Sequence, residues 1–136
     1  MIVAALKDSN LGISARNALY AVSILDCLWN SILGNRKSEA VFLDSEGLYV
    51  LLEFLEICDD MHKKMSLSCL SSLIENPKAI PYFTDWNSGK TMINATQLLI
   101  KIYNKEDVRF SVKHDDGIII NKERPLNPLT APWIQL

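Results

Sequence analysis

Two stretches of the sequence, 41 residues apart, decide the fold. Residues 25–35 read LDCLWNSILGN and residues 66–76 read SLSCLSSLIEN. Sliding the chain on itself by this distance places Asn35 on Asn76, and Gly47 falls one place short of Gly89. It also pairs apolar residues with apolar residues, namely Leu28 with Cys69, Ile32 with Leu73, Leu33 with Ile74 and Phe42 with Phe83. A period of this length is typical of repeats built from two or three helices.

Apolar residues recur at spacings of three and four around both stretches, which predicts amphipathic helices. The first helix is predicted over residues 15–33, and its apolar stripe comprises Leu19, Val22, Leu25, Trp29, Ile32 and Leu33. Further helices are predicted at about 48–57, 61–75, 78–83 and 91–103. Asn76 followed by Pro77 is typical of a helix start, and Asp59 or Asp60 can cap the helix before it. We expect one continuous core that contains Trp29, Leu52, Leu55, Leu70 and Leu73.

The period and the helices together predict an all-α chain of about two armadillo- or HEAT-like helical repeats. Each unit of such a protein buries its apolar faces against its neighbours. A compact helical bundle, in which the repeat would be coincidental, stays open as the alternative.

The last third of the chain has a different pattern. Val108, Phe110 and Val112 alternate with polar residues, residues 114–117 contain a turn signal, and residues 118–120 are three isoleucines. This pattern predicts a short β-hairpin. Three prolines in residues 122–136 exclude a continuous helix and predict an extended C-terminal tail. The predicted organisation is helical repeats over 1–104, a hairpin over 105–121 and the tail over 122–136.

Composition narrows the classes of function. The 136 residues include 14 Lys and Arg against 16 Asp and Glu, a formal charge of -2, so the basic excess that favours nucleic-acid binding is missing. No apolar run reaches the roughly 18 residues of a membrane-spanning helix, and residues 1–8 do not resemble a signal peptide. Three cysteines, an odd number, suit reduced thiols in a cytoplasmic protein. We therefore expect neither a nucleic-acid partner nor a membrane partner.

Motifs that could carry chemistry are incomplete. Ser88-Gly89-Lys90-Thr91 resembles the end of a phosphate-binding loop, but Thr84 stands where that motif requires its first glycine. Cys58, His62 and Cys69 could ligate a metal, but a fourth ligand is missing. Neither a Ser-His-Asp nor a Cys-His arrangement is visible. The sequence predicts a protein that is not an enzyme, with no catalytic, cofactor-binding or metal-binding residue and no small-molecule substrate.

Charge is segregated along the chain. Residues 39–60 contain seven acids and no base, whereas residues 61–105 contain six lysines and two acids. Complementary potentials orient docking partners, so we predict a partner-binding surface at Glu46, Glu53, Glu56, Asp59 and Asp60. Ordinary solvation of two helix faces is the alternative. Trp29 and Asn30 are added as partner-binding candidates, because armadillo-type adaptors commonly line a peptide groove with tryptophan and asparagine.

Several segments in this order resemble the C-terminal armadillo-type region of the cilia- and flagella-associated protein 69 family, over roughly residues 19–125. They are LDCLW at 25–29, GN at 34–35, FLDSEG at 42–47, LLEFL at 51–55, ENPK at 75–78, Trp86 and RFSVK at 109–113. The resemblance implies a non-enzymatic scaffold of motile cilia and flagella, located at the central apparatus of the axoneme in the cytoskeleton. It implies other axonemal proteins as partners and an indirect association with microtubules.

Members of that family are much longer than this chain, which therefore resembles a fragment or a short isoform. The alternative is a generic cytosolic armadillo-type adaptor that binds a partner protein or peptide.

Overall fold

The computed structural model describes residues 15–121, and its side chains from Leu19 onward. This part of the chain contains six α-helices, one 3-10 turn and one two-stranded hairpin. Their bounds are α1 Ala15–Ser31, α2 Arg36–Asp44, α3 Gly47–Ile57, α4 Asp60–Ile74, the 3-10 turn Pro77–Ala79, α5 Ile80–Asp85, α6 Ala95–Arg109, β1 His114–Asp115 and β2 Ile118–Ile119. The predicted tail at 122–136 and the segment at 1–8 lie outside the described residues.

The chain divides into two compact units, Met1–Ala95 and Thr96–Leu136. In the first unit α4 packs against both α1 and α3, and α3 also packs against α2 and α5. Leu52, Leu55, Leu70 and Leu73 are all buried there, which confirms four of the five predicted core positions. Burial of leucines of this size contributes about 2 kcal/mol each relative to exposure, so this cluster is a main source of the unit's stability.

The repeat is visible in the backbone. Helix α2 spans 36–44, and 41 residues later the 3-10 turn and α5 together span 77–85. The two aligned asparagines perform the same task, since the Asn35 side chain accepts hydrogen bonds from the amides of Lys37 and Ser38, and that of Asn76 accepts one from Lys78. Each therefore caps the short helical segment of its repeat. The all-α, armadillo-like fold with a terminal hairpin is confirmed.

The predicted apolar stripe of the first helix is wrong at two positions. Leu19 is 73% exposed and Trp29 is 48% exposed, so Trp29 does not belong to the core. The helix instead buries Ala21, Ile24, Leu25 and Leu28. Apolar residues occur on every side of this helix, so several stripes fit its sequence, and packing against α4 selects the one centred on Leu25 and Leu28.

The hairpin exists, but its first strand is not at 108–112 as the alternation predicted. Helix α6 continues to Arg109, and Ser111 then adopts a left-handed conformation at φ 58°. The Ser111 amide donates to the Val108 carbonyl and the Val112 amide donates to the Asp107 carbonyl, which is the Schellman ending of a helix. The strands are His114–Asp115 and Ile118–Ile119, joined by Asp116 and Gly117. Both of these residues have positive φ, as a two-residue hairpin turn requires.

Candidate functional site: the Trp29 groove and the acidic segment

Trp29 stands at a groove between α1 and α4. Two adjoining cavities of about 490 and 310 Å³ share Trp29, Lys64 and Ser68 in their linings. The smaller cavity has an apolar floor that includes Leu25 and Cys69, both buried. The larger cavity is lined further along α4 by Leu67, Ser71, Ser72 and Glu75. The groove therefore combines a half-exposed tryptophan with small serine side chains.

Asn30 does not share this groove. Its side-chain amide donates to the backbone carbonyl of Asp26 at 2.8 Å and to the Asp26 carboxylate at 3.1 Å. Both bonds are formed within α1, because Asp26 and Asn30 lie one helical turn apart on its surface. The structure therefore gives Trp29 and Asn30 different surroundings although they are neighbours in sequence.

The five predicted acidic residues divide by their contacts. Glu46 and Glu53 are exposed, and Glu46 adopts a left-handed conformation at φ 61° just before α3. Asp59 occupies the N-cap position of α4 without making the predicted side-chain capping bond. Its carboxylate instead lies 3.8 Å from His62 Nδ1, while Asp60 lies 3.7 Å from Lys63 Nζ. All four carboxylates remain accessible to a partner.

Glu56 has an internal role. Its carboxylate accepts hydrogen bonds from the Ser88 hydroxyl at 2.7 and 2.8 Å and from the Thr91 hydroxyl at 2.7 Å. The Ser88 hydroxyl also accepts from the amides of Lys90 and Thr91. The loop that resembled the end of a phosphate-binding motif is thus tied to α3 by a negatively charged side chain. A carboxylate at this position disfavours an anionic ligand there.

A second carboxylate, which sequence analysis did not single out, joins three parts of the first unit. Glu39 is only 3% exposed, and it accepts hydrogen bonds from the Gly34 amide at 3.0 Å and from the Asn76 side chain at 2.8 Å. Arg36 lies 3.4 Å from the same carboxylate. The available signal was the alignment of Asn35 with Asn76, which marks equivalent corners of the two repeats but does not reveal the partner of Asn76.

Two tyrosines on the surface of the first unit face carboxylates. The Tyr49 hydroxyl donates to Asp85 at 2.9 Å and the Tyr82 hydroxyl donates to Asp44 at 3.4 Å, with 5.7 Å between the ring centroids. The pKa of Tyr49 is raised, first by its hydrogen bond to Asp85 and then by burial. These contacts join α2 and α3 to α5. Asp44 and Asp85 therefore have a structural role.

The three cysteines are free thiols, of which Cys69 is buried, Cys58 is half-buried and Cys27 is exposed. Burial raises the pKa of Cys58 to about 11, with Lys63 acting in the opposite direction, and burial also raises the pKa of Cys69 to about 11. Among residues 15–121, no three histidine, cysteine, aspartate or glutamate side chains converge to hold a metal ion. Over the same residues, no helix is both long enough and apolar enough to cross a membrane.

The fold and these sites define a class of protein, the armadillo-type helical repeat, whose units stack through their helices. The sequence profile of the ARM repeat of cilia- and flagella-associated protein 69 matches residues 5–131. The chain belongs to that family.

Similar proteins are known from several mammals. Cilia- and flagella-associated protein 69 of Mus musculus and that of Homo sapiens are each 36% identical to this chain over 105 residues, which is 76% of the chain and 11% of the relative. That of Papio anubis is 36% identical over 109 residues, covering 79% of the chain and 12% of the relative. The chain therefore spans about a tenth of the length of these relatives. No solved structure matches it significantly.

Proposed function

We propose that this chain is a non-enzymatic scaffold element of motile cilia and flagella, which binds other proteins of the axonemal central apparatus. The observation that carries the proposal is membership of the cilia- and flagella-associated protein 69 family over residues 5–131. Proteins of the armadillo class present extended surfaces made by successive repeats, which suits binding of other proteins. The proposed location is the axoneme, in the cytoskeleton of the cytoplasm, and the proposed contact with microtubules is indirect.

The accessible acids are proposed as the docking surface. Glu46 comes just before α3 and Glu53 lies within it, whereas Asp59 and Asp60 stand at the start of α4. All four are exposed. A basic surface on the partner would be attracted to them. Glu56 is hydrogen-bonded to the loop at 88–91. It contributes to this surface through its charge and by holding that loop in place.

Capture by demembranated axonemes tests the proposal. The purified chain should bind axonemes, and cross-linking mass spectrometry should identify central-apparatus proteins as its neighbours. Added salt should slow association, because exposed charges are screened beyond about 8 Å at physiological ionic strength. The Glu46→Gln/Glu53→Gln variant should bind at least about fivefold more slowly, since rim charges act mainly on the association rate.

The matched control is Asp115→Asn/Asp116→Asn, which removes two exposed acids from the hairpin and should leave capture unchanged. Capture that is insensitive to salt and to both variants would reject the acidic docking surface. Strong co-sedimentation with bare microtubules at physiological salt would reject indirect microtubule contact.

A cytosolic peptide-binding adaptor is a second candidate, and the Trp29 groove favours it. If that function is correct, the chain should remain in the detergent-soluble fraction of ciliated cells, and Trp29→Ala should abolish partner capture. Retention in the axonemal fraction together with normal capture by Trp29→Ala would exclude the adaptor.

A further inference from the structure

The hairpin exposes three consecutive isoleucines, the two of strand β2 and the residue after it. Ile118 is 70% exposed, Ile119 is 40% exposed and Ile120 is 59% exposed. Contiguous exposed apolar side chains mark interaction surfaces in soluble proteins. Edge strands are commonly protected from pairing by a lysine, another charge or a proline, and residues 118–120 contain none of these. These three residues together are the isoleucine edge of the hairpin.

The register of the hairpin determines which backbone groups point outward. His114 lies opposite Ile119, and the Ile120 amide donates to the Lys113 carbonyl at 3.0 Å. Because the direction of backbone groups alternates along an antiparallel strand, the amide and carbonyl of Ile119 point away from β1. Within residues 15–121 the sheet has no third strand to receive them. The outer edge of β2 can therefore accept another strand.

Both strands of the hairpin are tied to the end of α6. The His114 ring lies 2.8 Å from the Asp107 carboxylate of that helix. The Asn121 side chain accepts from the Lys113 amide at 2.9 Å and donates to the Ser111 carbonyl at 2.9 Å. The edge is thus ordered in advance, and an ordered edge loses less conformational entropy when it binds.

The isoleucine edge is complementary to itself. Side chains alternate between the two faces of a strand, so Ile118 and Ile120 share one face and Ile119 lies on the other. In an antiparallel pair of two such edges centred on Ile119, Ile118 of each copy would lie opposite Ile120 of the other. The two Ile119 residues would exchange both of their outward backbone bonds. Two marginal two-stranded sheets would thereby become one sheet of four strands.

The charges on either side of the edge favour this antiparallel arrangement. Asp115 and Asp116 precede the isoleucines in the sequence, and residues 122–124 read KER, with a net positive charge. Antiparallel pairing brings the acidic end of each copy toward the basic end of the other, whereas parallel pairing brings like charges together. The chain's own residues 122–136 fit less well, because Pro125 and Pro128 lack the amide that a strand needs.

From these observations we infer that the isoleucine edge binds the same edge of a second copy of this chain, as an antiparallel pair centred on Ile119. Few side chains take part, and small interfaces of this kind are weak and reversible. The dimer should therefore form only at high protein concentration. This inference does not depend on the acidic docking surface proposed above, which lies in the first unit.

A dilution series of the ¹⁵N-labelled full chain tests the inference. The amide signals of residues 117–121 should shift with protein concentration, and sedimentation equilibrium should show monomers and dimers in exchange. Ile118→Lys and Ile120→Glu should each weaken the dimer at least about tenfold, because a charge then faces an isoleucine of the second copy. Each introduced charge has an opposite charge across the hairpin, at Asp115 or Lys113, so the hairpin itself should persist.

A mixture of the two variants tests the register. When they pair with each other, the introduced lysine lies opposite the introduced glutamate, and the other cross-strand pair remains two isoleucines. The ¹⁵N-labelled Ile120→Glu chain should therefore bind unlabelled Ile118→Lys at least about threefold more tightly than it binds unlabelled Val41→Lys. Val41→Lys is the matched control, because Val41 is 66% exposed and lies in the first unit.

Four outcomes would overturn the inference. The first is a set of signals for residues 117–121 that does not depend on concentration. The second is a dimer that Ile118→Lys and Ile120→Glu leave unchanged. The third is equal binding of Ile118→Lys and Val41→Lys by the labelled chain, which would exclude the antiparallel register. The fourth is a shift of the signals of residues 122–136 in dilute Ile118→Lys, which would identify the chain's own segment as the occupant.

Discussion

Glu39 is a carboxylate held almost entirely out of solvent, and its partners explain why the fold accepts it. The Gly34 amide and the Asn76 side chain both donate to it, and because Asn76 is buried, removal of the carboxylate would leave its side chain a buried donor without a partner. A buried donor without an acceptor costs about 1–3 kcal/mol. Glu39 therefore joins the turn after α1 to the equivalent turn after α4.

We expect Glu39→Ala to lower the free energy of unfolding by about 2–3 kcal/mol, measured by urea denaturation. Glu53→Ala is the matched control, because Glu53 is exposed on α3, and its effect should stay within about 0.5 kcal/mol. Equal effects of the two substitutions would contradict the role assigned to Glu39.

Glu46 provides a prediction of opposite sign. Its left-handed backbone is unfavourable for a residue with a Cβ, by about 1 kcal/mol, and glycine relieves this strain. Glu46→Gly should therefore raise stability by up to about 1 kcal/mol, whereas Glu53→Gly, inside α3, should lower it by a similar amount. Thermal unfolding of both variants measures the two shifts. A loss of stability in Glu46→Gly would show that its side chain makes a stabilising contact.

The acids of residues 39–60 are visible in the sequence as a group of like charges. Which of them are hydrogen-bonded inside the fold and which are exposed is not. Glu39 and Glu56 bond to side chains 37 and 32 residues away, and such partners are set by tertiary packing rather than by local pattern. Among residues 15–121 no such long-range side-chain bond is seen for Glu46 or Glu53, and both are exposed, one just before α3 and one within it. Their partner-binding role remains a prediction.

At the scale of elements, Gly47 fixes how α2 meets α3. A Cβ built on Gly47 would lie 2.5 Å from the ring of Phe42, a buried side chain of α2. The turn between these helices needs this glycine for space, while the positive φ belongs to Glu46. The sequence signal for a turn was correct, but the reason for its glycine is packing.

Gly47→Ala should lower the free energy of unfolding by about 1–3 kcal/mol, because the Phe42 ring must move within a packed core. Gly89→Ala is the matched control, since nothing lies within 4 Å of a Cβ built there. Its effect should be within about 0.5 kcal/mol. Chemical denaturation measures the free energy of unfolding of both variants. Equal values would show that the Phe42 ring moves aside at no cost in stability.

Helix positions were largely predictable because amphipathic spacing is a local property. The α2 helix was the exception, since residues 36–44 form a short segment whose four apolar residues stand in one run rather than at spacings of three and four. Its capping by Asn35 is the signal that was underused. The alternation at 108–112 was overridden because Glu106 pairs with Arg109, whose guanidinium also lies 5.3 Å from the Phe110 ring. These contacts favour continuation of α6.

At the scale of the whole molecule, α4 packs against both α1 and α3, and Leu73 is one of its buried residues. Leu73 is fully buried, and Leu73→Ala should lower the free energy of unfolding by about 2–5 kcal/mol. Leu19→Ala is the matched control, because Leu19 is 73% exposed, and it should be nearly neutral. The urea concentrations at which the two variants are half unfolded measure this difference. A neutral effect of Leu73→Ala would contradict the packing of α4.

The hydrogen bonds between distant side chains have a consequence for folding kinetics. Glu39 with Asn76, Tyr49 with Asp85 and Glu56 with Ser88 are separated by 37, 36 and 32 residues, each slightly less than one repeat. The entropy lost in closing each contact depends on this separation, and doubling it would add only about 0.6 kcal/mol. Because the three contacts span similar numbers of residues, the entropy lost in closing each of them is similar. A longer array of repeats would contain more contacts of this kind, but none of them would close a longer loop.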